Sequence, residues 1–334
     1  MKYGTELEVA VAAVRAASRV CRGVQADLVT AATLEKKDKS PVTVADFAAQ
    51  AVVCAALKAA FPGVPVVGEE DSKDLRPRDG EDAAAELRAK VAAHAGMSET
   101  DTLDAIDHGG FDPAPGIKQD QPGESSGGTY WTLDPIDGTK GFLRGEQYAV
   151  ALGLIENGRV VLGVLGCPNL DGGLLMTAVR GEGAKRLPLD GEGVDGETVN
   201  VSAVAEAARA NFCESVESGH SDQDASVKIA AALGITAEPY RIDSQCKYAA
   251  VARGDAAIYL RLPTRPGYRE KIWDHAAGML VVEEAGGTVT DVRGQALDFS
   301  LGRQLENNRG VIATNGKFHA QVVEAVKANV QVVE

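Results

Sequence analysis

The stretch Trp131-Thr132-Leu133-Asp134-Pro135-Ile136-Asp137-Gly138-Thr139-Lys140-Gly141 sets two carboxylates three residues apart at the end of a short apolar strand. Pro135 restricts the backbone between them, so both acids can converge on one hard cation. Gly138 and Thr139 follow at once. A helix starting there would aim its unpaired N–H groups and positive dipole end at the same space, which suits a phosphate or sulfate. The same residues also fit a plain turn with capping aspartates, and turn chemistry alone does not separate the two.

Upstream, residues 64–67 read as a short buried strand running into Gly68-Glu69-Glu70-Asp71, an acidic cluster at a strand end that could equally be a solvated edge. Three- and four-residue apolar steps predict amphipathic helices over residues 7–28 and 44–60. The polar segment 72–128 reads as a mobile insertion with one helical piece near 81–94 and an aperiodic loop over 109–128. Downstream, apolar runs at 148–156, 159–167 and 173–179 predict consecutive antiparallel strands, the first two joined by the hairpin signal Asn157-Gly158. The pattern then alternates. Helices are expected at 222–233, 244–253, 273–285 and 316–332, with strands at 239–242, 256–262, 287–292 and 310–313. The Gly/Asp/Glu-rich stretch 190–197 suggests a division into a lobe of residues 1–190 and a smaller α/β lobe of residues 191–334.

A chain of 334 residues with 45% hydrophobic and 25% charged residues is expected to build a sizeable core in one large domain or two closely packed ones. A net charge of −14 argues against nucleic acid and membrane surfaces as partners; an acidic protein that handles an anion would need a carrier such as a divalent metal. The five cysteines are widely spaced and form no Cys-x-x-Cys pair, so neither a zinc site nor a secreted disulfide framework is indicated. With no signal peptide or membrane span in the first 30 residues, a soluble intracellular location is expected.

Four separated motifs, in order, carry a resemblance: Lys39-Ser40-Pro41-Val42-Thr43-Val44-Ala45-Asp46, Gly68-Glu69-Glu70, Asp134-Pro135-Ile136-Asp137-Gly138-Thr139, and Trp273-Asp274-His275-Ala276-Ala277-Gly278. Together they resemble the inositol monophosphatase superfamily of lithium-sensitive, magnesium-dependent phosphatases. The runs Thr139–Val150 and Cys167-Pro168-Asn169-Leu170 look like its 3′(2′),5′-bisphosphate nucleotidase branch, and the run from Glu70 to Arg76 like plant-type members. The resemblance implies an α/β (α+β) fold, a layered αβαβα sandwich with an N-terminal lobe of antiparallel sheet plus helices.

It also implies two to three Mg²⁺ ions. Glu69, Asp134 and the Ile136 carbonyl would hold the first, Asp134, Asp137 and Asp274 the second, and a third, weaker site would use Asp46 and Glu69. Such ions polarise phosphoryl oxygens and make hydroxide available near neutral pH. Asp46 and Thr139 would form the general-base pair, although Thr139 alone could simply cap a helix. Gly138 and Thr139 would receive the phosphate. His220, Ser244, Lys247 and Arg261 would contact the nucleotide, Lys247 and Arg261 near an uncleaved 5′-phosphate; taken singly, such residues are more often surface or structural.

The implied substrate is adenosine 3′,5′-bisphosphate, converted to AMP and phosphate, with its sulfated form as a second substrate. An inositol polyphosphate 1-phosphatase shares the metal motifs and stays open as an alternative, as does a catalytically silent nucleotide or inositol-phosphate sensor. The chain is expected as a monomer or weak homodimer, in the chloroplast or the cytoplasm.

Overall fold

The computed structural model describes residues 2–31, 40–77, 82–113, 128–216, 223–263 and 265–330. Two long helices, α1 (Gly4–Ala31) and α2 (Ser40–Ala60), lead into strand β1 (Val66–Gly68) and helices α3 (Ala85–Ala95) and α4 (Glu99–His108). Then come β2 (Thr129–Asp137), the short helix α5 (Thr139–Arg144), and β3 (Ala149–Glu156), β4 (Arg159–Cys167), β5 (Leu174–Val179), β6 (Gly183–Pro188) and β7 (Glu197–Thr198). These strands form one sheet in chain order, with β1 parallel to β2 and every later neighbour antiparallel. The Asn157-Gly158 hairpin closes with both residues at positive φ, 54° and 73°, as a tight two-residue turn requires.

The remaining elements are β8 (Phe212–Glu214), α6 (Gln223–Leu233), β9 (Tyr240–Arg241), α7 (Cys246–Ala252), β10 (Ile258–Arg261), α8 (Ala276–Glu284), β11 (Thr288–Thr290), β12 (Val311–Thr314) and α9 (His319–Asn329). The five strands make a second sheet in the order β11-β12-β10-β8-β9. Strand alternation builds the layers. On β3, Val150, Leu152 and Leu154 face the core shared with α1 and α2, whereas Ala149, Ala151 and Ile155 face the core shared with α7 and α8. The second sheet packs its other face against α6 and α9. The order is therefore helix, sheet, helix, sheet, helix, the αβαβα sandwich expected. Helix α2 is long and apolar enough for a membrane span by composition, but its side chains are spent on this core.

Segment 72–128 holds more structure than one helical piece. Helix α4 was not expected; Leu103, Ala105 and Ile106 bury one side of it, and it packs on α2 beside α3. Residues 114–127 of the expected loop lie outside the described residues. Helix α8 begins at Ala276, three residues after the expected start, because Trp273, Asp274 and His275 form a turn in which the His275 and Ala276 N–H groups both bond to the Ile272 carbonyl. Asp274 thus precedes the helix.

The close fit of α8 on the first sheet brings Asp274 to the strand ends. A Cβ on Gly163 of β4 would lie 2.9 Å from the Ala277 carbonyl oxygen and 3.1 Å from its Cα, so the glycine permits the contact. Gly163→Ala is expected to cost about 1–3 kcal/mol in urea unfolding, because backbone must give way. An unchanged urea midpoint would mean that α8 yields freely.

Candidate active site

The register of β2 explains how Asp134 and Asp137 share a cavity. Residues three apart on a regular strand face opposite sides. Here Asp134 pairs with Ala151 and Asp137 with Ala149, so β2 advances three residues while β3 advances two. The extra residue is a bulge at Pro135-Ile136, where Pro135 has no N–H to give the ladder, and it turns both carboxylates to one side. The pair sits on a strand and not in the plain turn that was the alternative. Glu69 follows β1, whose register sets Gly68 beside Leu133, and the Glu69 N–H donates to the Leu133 carbonyl at 3.2 Å. Glu69 consequently stands next to Asp134.

These groups line a cavity of about 500 Å³ with Ile136, Gly138, Thr139, Ser244, Lys247, Arg261 and Asp274. Asp46 is buried on α2 and is not part of the lining. Among the described residues no hydrogen bond joins it to Thr139. His220 lies outside the described residues. Thr139 is exposed at the first position of α5, and Gly138 before it has φ 96°, with Ser244 so close that a Cβ would lie 2.7 Å away. Ser244 is itself left-handed, φ 63°, which explains why α7 starts two residues later than the pattern suggested.

The acidic cluster is electrostatically tense. Burial, then Glu69, Asp137 and Asp274, push the Asp134 carboxyl well above its ordinary value. Burial and Asp137 raise Asp274 to about 7, and burial with Glu70 raises Glu69 to about 7. Glu69 is crowded by these neighbours yet open to solvent on its cavity side, so part of that push is screened. Burial, Glu70 and Glu69 likewise raise Asp46. Oδ1 of Asp134 is buried with no hydrogen-bond partner among the described residues. A buried acceptor without a donor, among carboxylates that repel one another, fits a divalent cation. Asp137 differs, since its Oδ2 accepts the Gln245 N–H at 2.7 Å where α7 begins.

Lys247 lines the same cavity. It is 5% exposed; its Nζ donates to Ser215 Oγ at 3.2 Å and lies 5.4 Å from the Tyr259 ring centroid, with no carboxylate paired to it among the described residues. Burial lowers its pKa, opposed by Asp137. Arg261 is already engaged. Its Nε lies 3.3 Å from Oε2 of the buried Glu270, which also bonds His275 Nε2 at 3.2 Å, while His275 Nδ1 meets the Tyr248 hydroxyl at 2.7 Å. Glu270, Asp274 and His275 bring potential ligand atoms within 4.8 Å of one another, but Glu270 and His275 spend theirs on each other.

Sequence reasoning missed several supports. Gln50, fully buried one helical turn after Asp46, donates to the Glu70 carbonyl at 2.8 Å and accepts the Glu70 N–H at 2.9 Å. Gln245 donates from Nε2 to the Trp273 carbonyl at 2.9 Å, tying Asp137 to the approach of Asp274. Only Gln50 left a local signal, a polar residue at i+4 from Asp46 on an otherwise apolar face.

Residues 3–331 match the inositol monophosphatase family. The chain is 44% identical to a 3′(2′),5′-bisphosphate nucleotidase of Schizosaccharomyces pombe, over 98% of this chain and 96% of the relative. It is also 44% identical to one of Oryza sativa, over 97% and 94%. Equal identity to a yeast and a rice protein gives the plant-type likeness no support. Two solved structures share the fold at 21% identity: an inositol monophosphatase from Anabaena (Nostoc), TM-score 0.62 over 99% of this chain and 98% of that one, and SuhB from Bartonella henselae, TM-score 0.65 over 98% and 100%. With its bulged Asp134–Asp137 strand and the family match along nearly its whole length, the chain belongs to the inositol monophosphatase family, whose members depend on metal ions.

Proposed function

We propose that the protein is a Mg²⁺-dependent phosphatase that removes the 3′-phosphate of adenosine 3′,5′-bisphosphate, giving AMP and phosphate, and that also accepts the sulfated form of that nucleotide. The observation that carries it is Lys247, a buried ammonium with no carboxylate paired to it among the described residues, which lines the same cavity as the carboxylate cluster. Such a wall suits a second phosphate that is bound and not cleaved. Both relatives described above are named for a bisphosphate nucleotide, which favours this substrate over an inositol phosphate.

In this assignment Glu69, Asp134, Asp137, Asp274 and the Ile136 carbonyl hold two to three ions. Bound divalent ions would polarise the phosphoryl oxygens and make water nucleophilic near neutral pH. The chain's own groups orient the substrate. Gly138 and Thr139 offer backbone N–H groups at the start of α5, and Ser244, Lys247 and Arg261 receive the 5′-phosphate. Glu270 presents Arg261 to the cavity by holding its Nε, and Tyr268 bonds the same guanidinium. Thr139 is the cavity-side member of the proposed base pair; Asp46 behind the cavity wall would have to reach it.

The test compares phosphate release from adenosine 3′,5′-bisphosphate and inositol 1,4-bisphosphate in Mg²⁺. Faster release from the nucleotide is expected; the reverse order favours the inositol reading, and no release from either favours a sensor. Arg261→Ala should lower kcat/KM for adenosine 3′,5′-bisphosphate by about 1.5–3 kcal/mol, the loss of a charge-assisted hydrogen bond. That variant also leaves Glu270 buried without its arginine. Adenosine 3′-monophosphate, lacking the 5′-phosphate, registers that damage alone, so equal losses on both substrates would withdraw Arg261 from phosphate binding.

A further inference from the structure

Arg303 lies between β11 and β12, outside every motif above. Its Nη2 donates to the Gly68 carbonyl at 2.6 Å, its Nη1 to the Phe111 carbonyl at 3.0 Å, and its guanidinium lies 4.8 Å from the Trp273 ring centroid. The backbone is fixed as well. The Arg303 carbonyl accepts the Ile272 N–H at 3.2 Å, Gln304 bridges Lys271 in antiparallel fashion, and the Leu305 N–H donates to the Glu270 carbonyl at 2.9 Å. Gly68 immediately precedes Glu69, and Trp273 immediately precedes Asp274. One residue thus grips the chain neighbours of two cavity carboxylates that lie about two hundred positions apart.

Resting on the metal assignment proposed above, we infer that Arg303 is a positioning residue that sets the separation of Glu69 and Asp274, and through it the affinity of the cavity for a divalent cation. Its guanidinium hydrogen bonds go to neutral carbonyls, while its charge acts only through space on Glu69, Asp71 and Asp112. A planar fork reaches two carbonyls at once while stacking on an indole; an ammonium cannot do all three. Charge and geometry also predict opposite signs. A positive charge near Glu69 repels a metal ion, so acting by charge alone Arg303 would weaken binding, and its removal would tighten it. Acting by geometry, its loss loosens binding.

The deciding measurement is Mn²⁺ binding to the metal-free full chain, read from the electron paramagnetic resonance signal of free Mn²⁺, with no turnover involved. Arg303→Lys keeps the charge and loses the two-carbonyl grip. Its Mn²⁺ dissociation constant is expected to rise roughly tenfold, the scale for groups that orient metal ligands. A rise of about threefold or more supports the positioning role, and anything smaller overturns it. A merely structural role would lower Tm and leave the dissociation constant of the folded protein in place. Should Arg303→Lys not fold, Arg303→Met takes its place under the same criterion, now against the tightening that lost charge predicts. Asp134→Asn is the control. If the wild type binds no Mn²⁺, or Asp134→Asn binds it equally well, the metal assignment falls and the positioning role with it. If Asp134→Asn abolishes binding and the Arg303 variant does not weaken it, the positioning role alone falls.

Discussion

Asp134→Asn is expected to lower kcat by at least about a thousandfold, a barrier increase of about 4 kcal/mol, while the metal-free protein stays folded and gains stability. The asparagine keeps the volume and one carbonyl acceptor. What it loses is the central charge: Glu69, Asp137 and Asp274 each raise the Asp134 pKa, and one of its oxygens has no hydrogen-bond partner among the described residues. In the proposed site Asp134 would help to hold the metal ions, so the substitution would remove charge that they need. In the metal-free protein the same change relieves repulsion among the remaining acids, as well as the cost of burying the charge. Phosphate release and urea unfolding in EDTA, run on the same preparation, separate the two effects. Turnover within about tenfold of wild type would remove Asp134 from the metal site, and a large drop in the urea midpoint would mean that the carboxylate is structural.

Most of the fold is legible in local pattern because local pattern is what fixes it. The apolar runs that become β3, β4 and β5 alternate between two cores, and Asn157-Gly158 supplies the positive φ angles of their hairpin. Helices α6 to α9 and most of the short strands between them fall inside their expected spans, with ends trimmed where a special backbone intervenes, as at Ser244. Helix α4 escaped because only three of its apolar residues are buried and its stability comes from contact with α2, a tertiary term that periodicity does not carry. Strands β6, β7 and β8 escaped for a related reason: their ladder partners, not their short sequences, make them strands.

The candidate site divides along the same line. Asp134 and Asp137 announce themselves by proximity along the chain, but their shared orientation depends on a bulge, and a bulge is visible only against a partner strand. Gln245, Glu270 and Arg303 act through bonds to residues far away in sequence, for instance from Arg303 to Gly68. Nothing near them in the chain marks them. Taken alone in the sequence, Lys247 is an ordinary charged residue of a helix. Its burial, with no carboxylate paired to it among the described residues, is a property of the fold that makes the bland reading untenable for this residue.

The metal-free protein should be more stable at pH 5 than at pH 7.5, the reverse of ordinary acid destabilisation. Burial and like charges raise Asp274 from 3.8 and Glu69 from 4.5 to about 7, and raise Asp46 and Asp134 in the same direction. A carboxylate whose folded pKa exceeds its unfolded one holds more protons when folded, so stability falls as pH rises between the two values, here from about 4 to about 7. Asp274, largely shielded from solvent, contributes on the order of 2–3 kcal/mol after allowance for screening; Glu69, open to the cavity, contributes less. Two imidazoles pull the other way. Burial lowers His108 and His319, so each adds stability as pH rises toward 6.5, but they stand against five raised carboxylates, Glu70 among them. Although burial opposes it, the bond from His275 and the charge of Arg261 depress Glu270, whose stabilisation is lost below about pH 4.5, outside the window. Saturating Mg²⁺ binds the ionised cluster in the native state alone, adding RT ln(1 + [L]/Kd), so it should stabilise far more at pH 7.5 than at pH 5 and flatten or invert the profile. Urea midpoints at both pH values, in EDTA and in Mg²⁺, test this directly. A midpoint in EDTA that rises with pH would show that the carboxylates are not strained by one another, and the physical case for a cation among them would lose its main support.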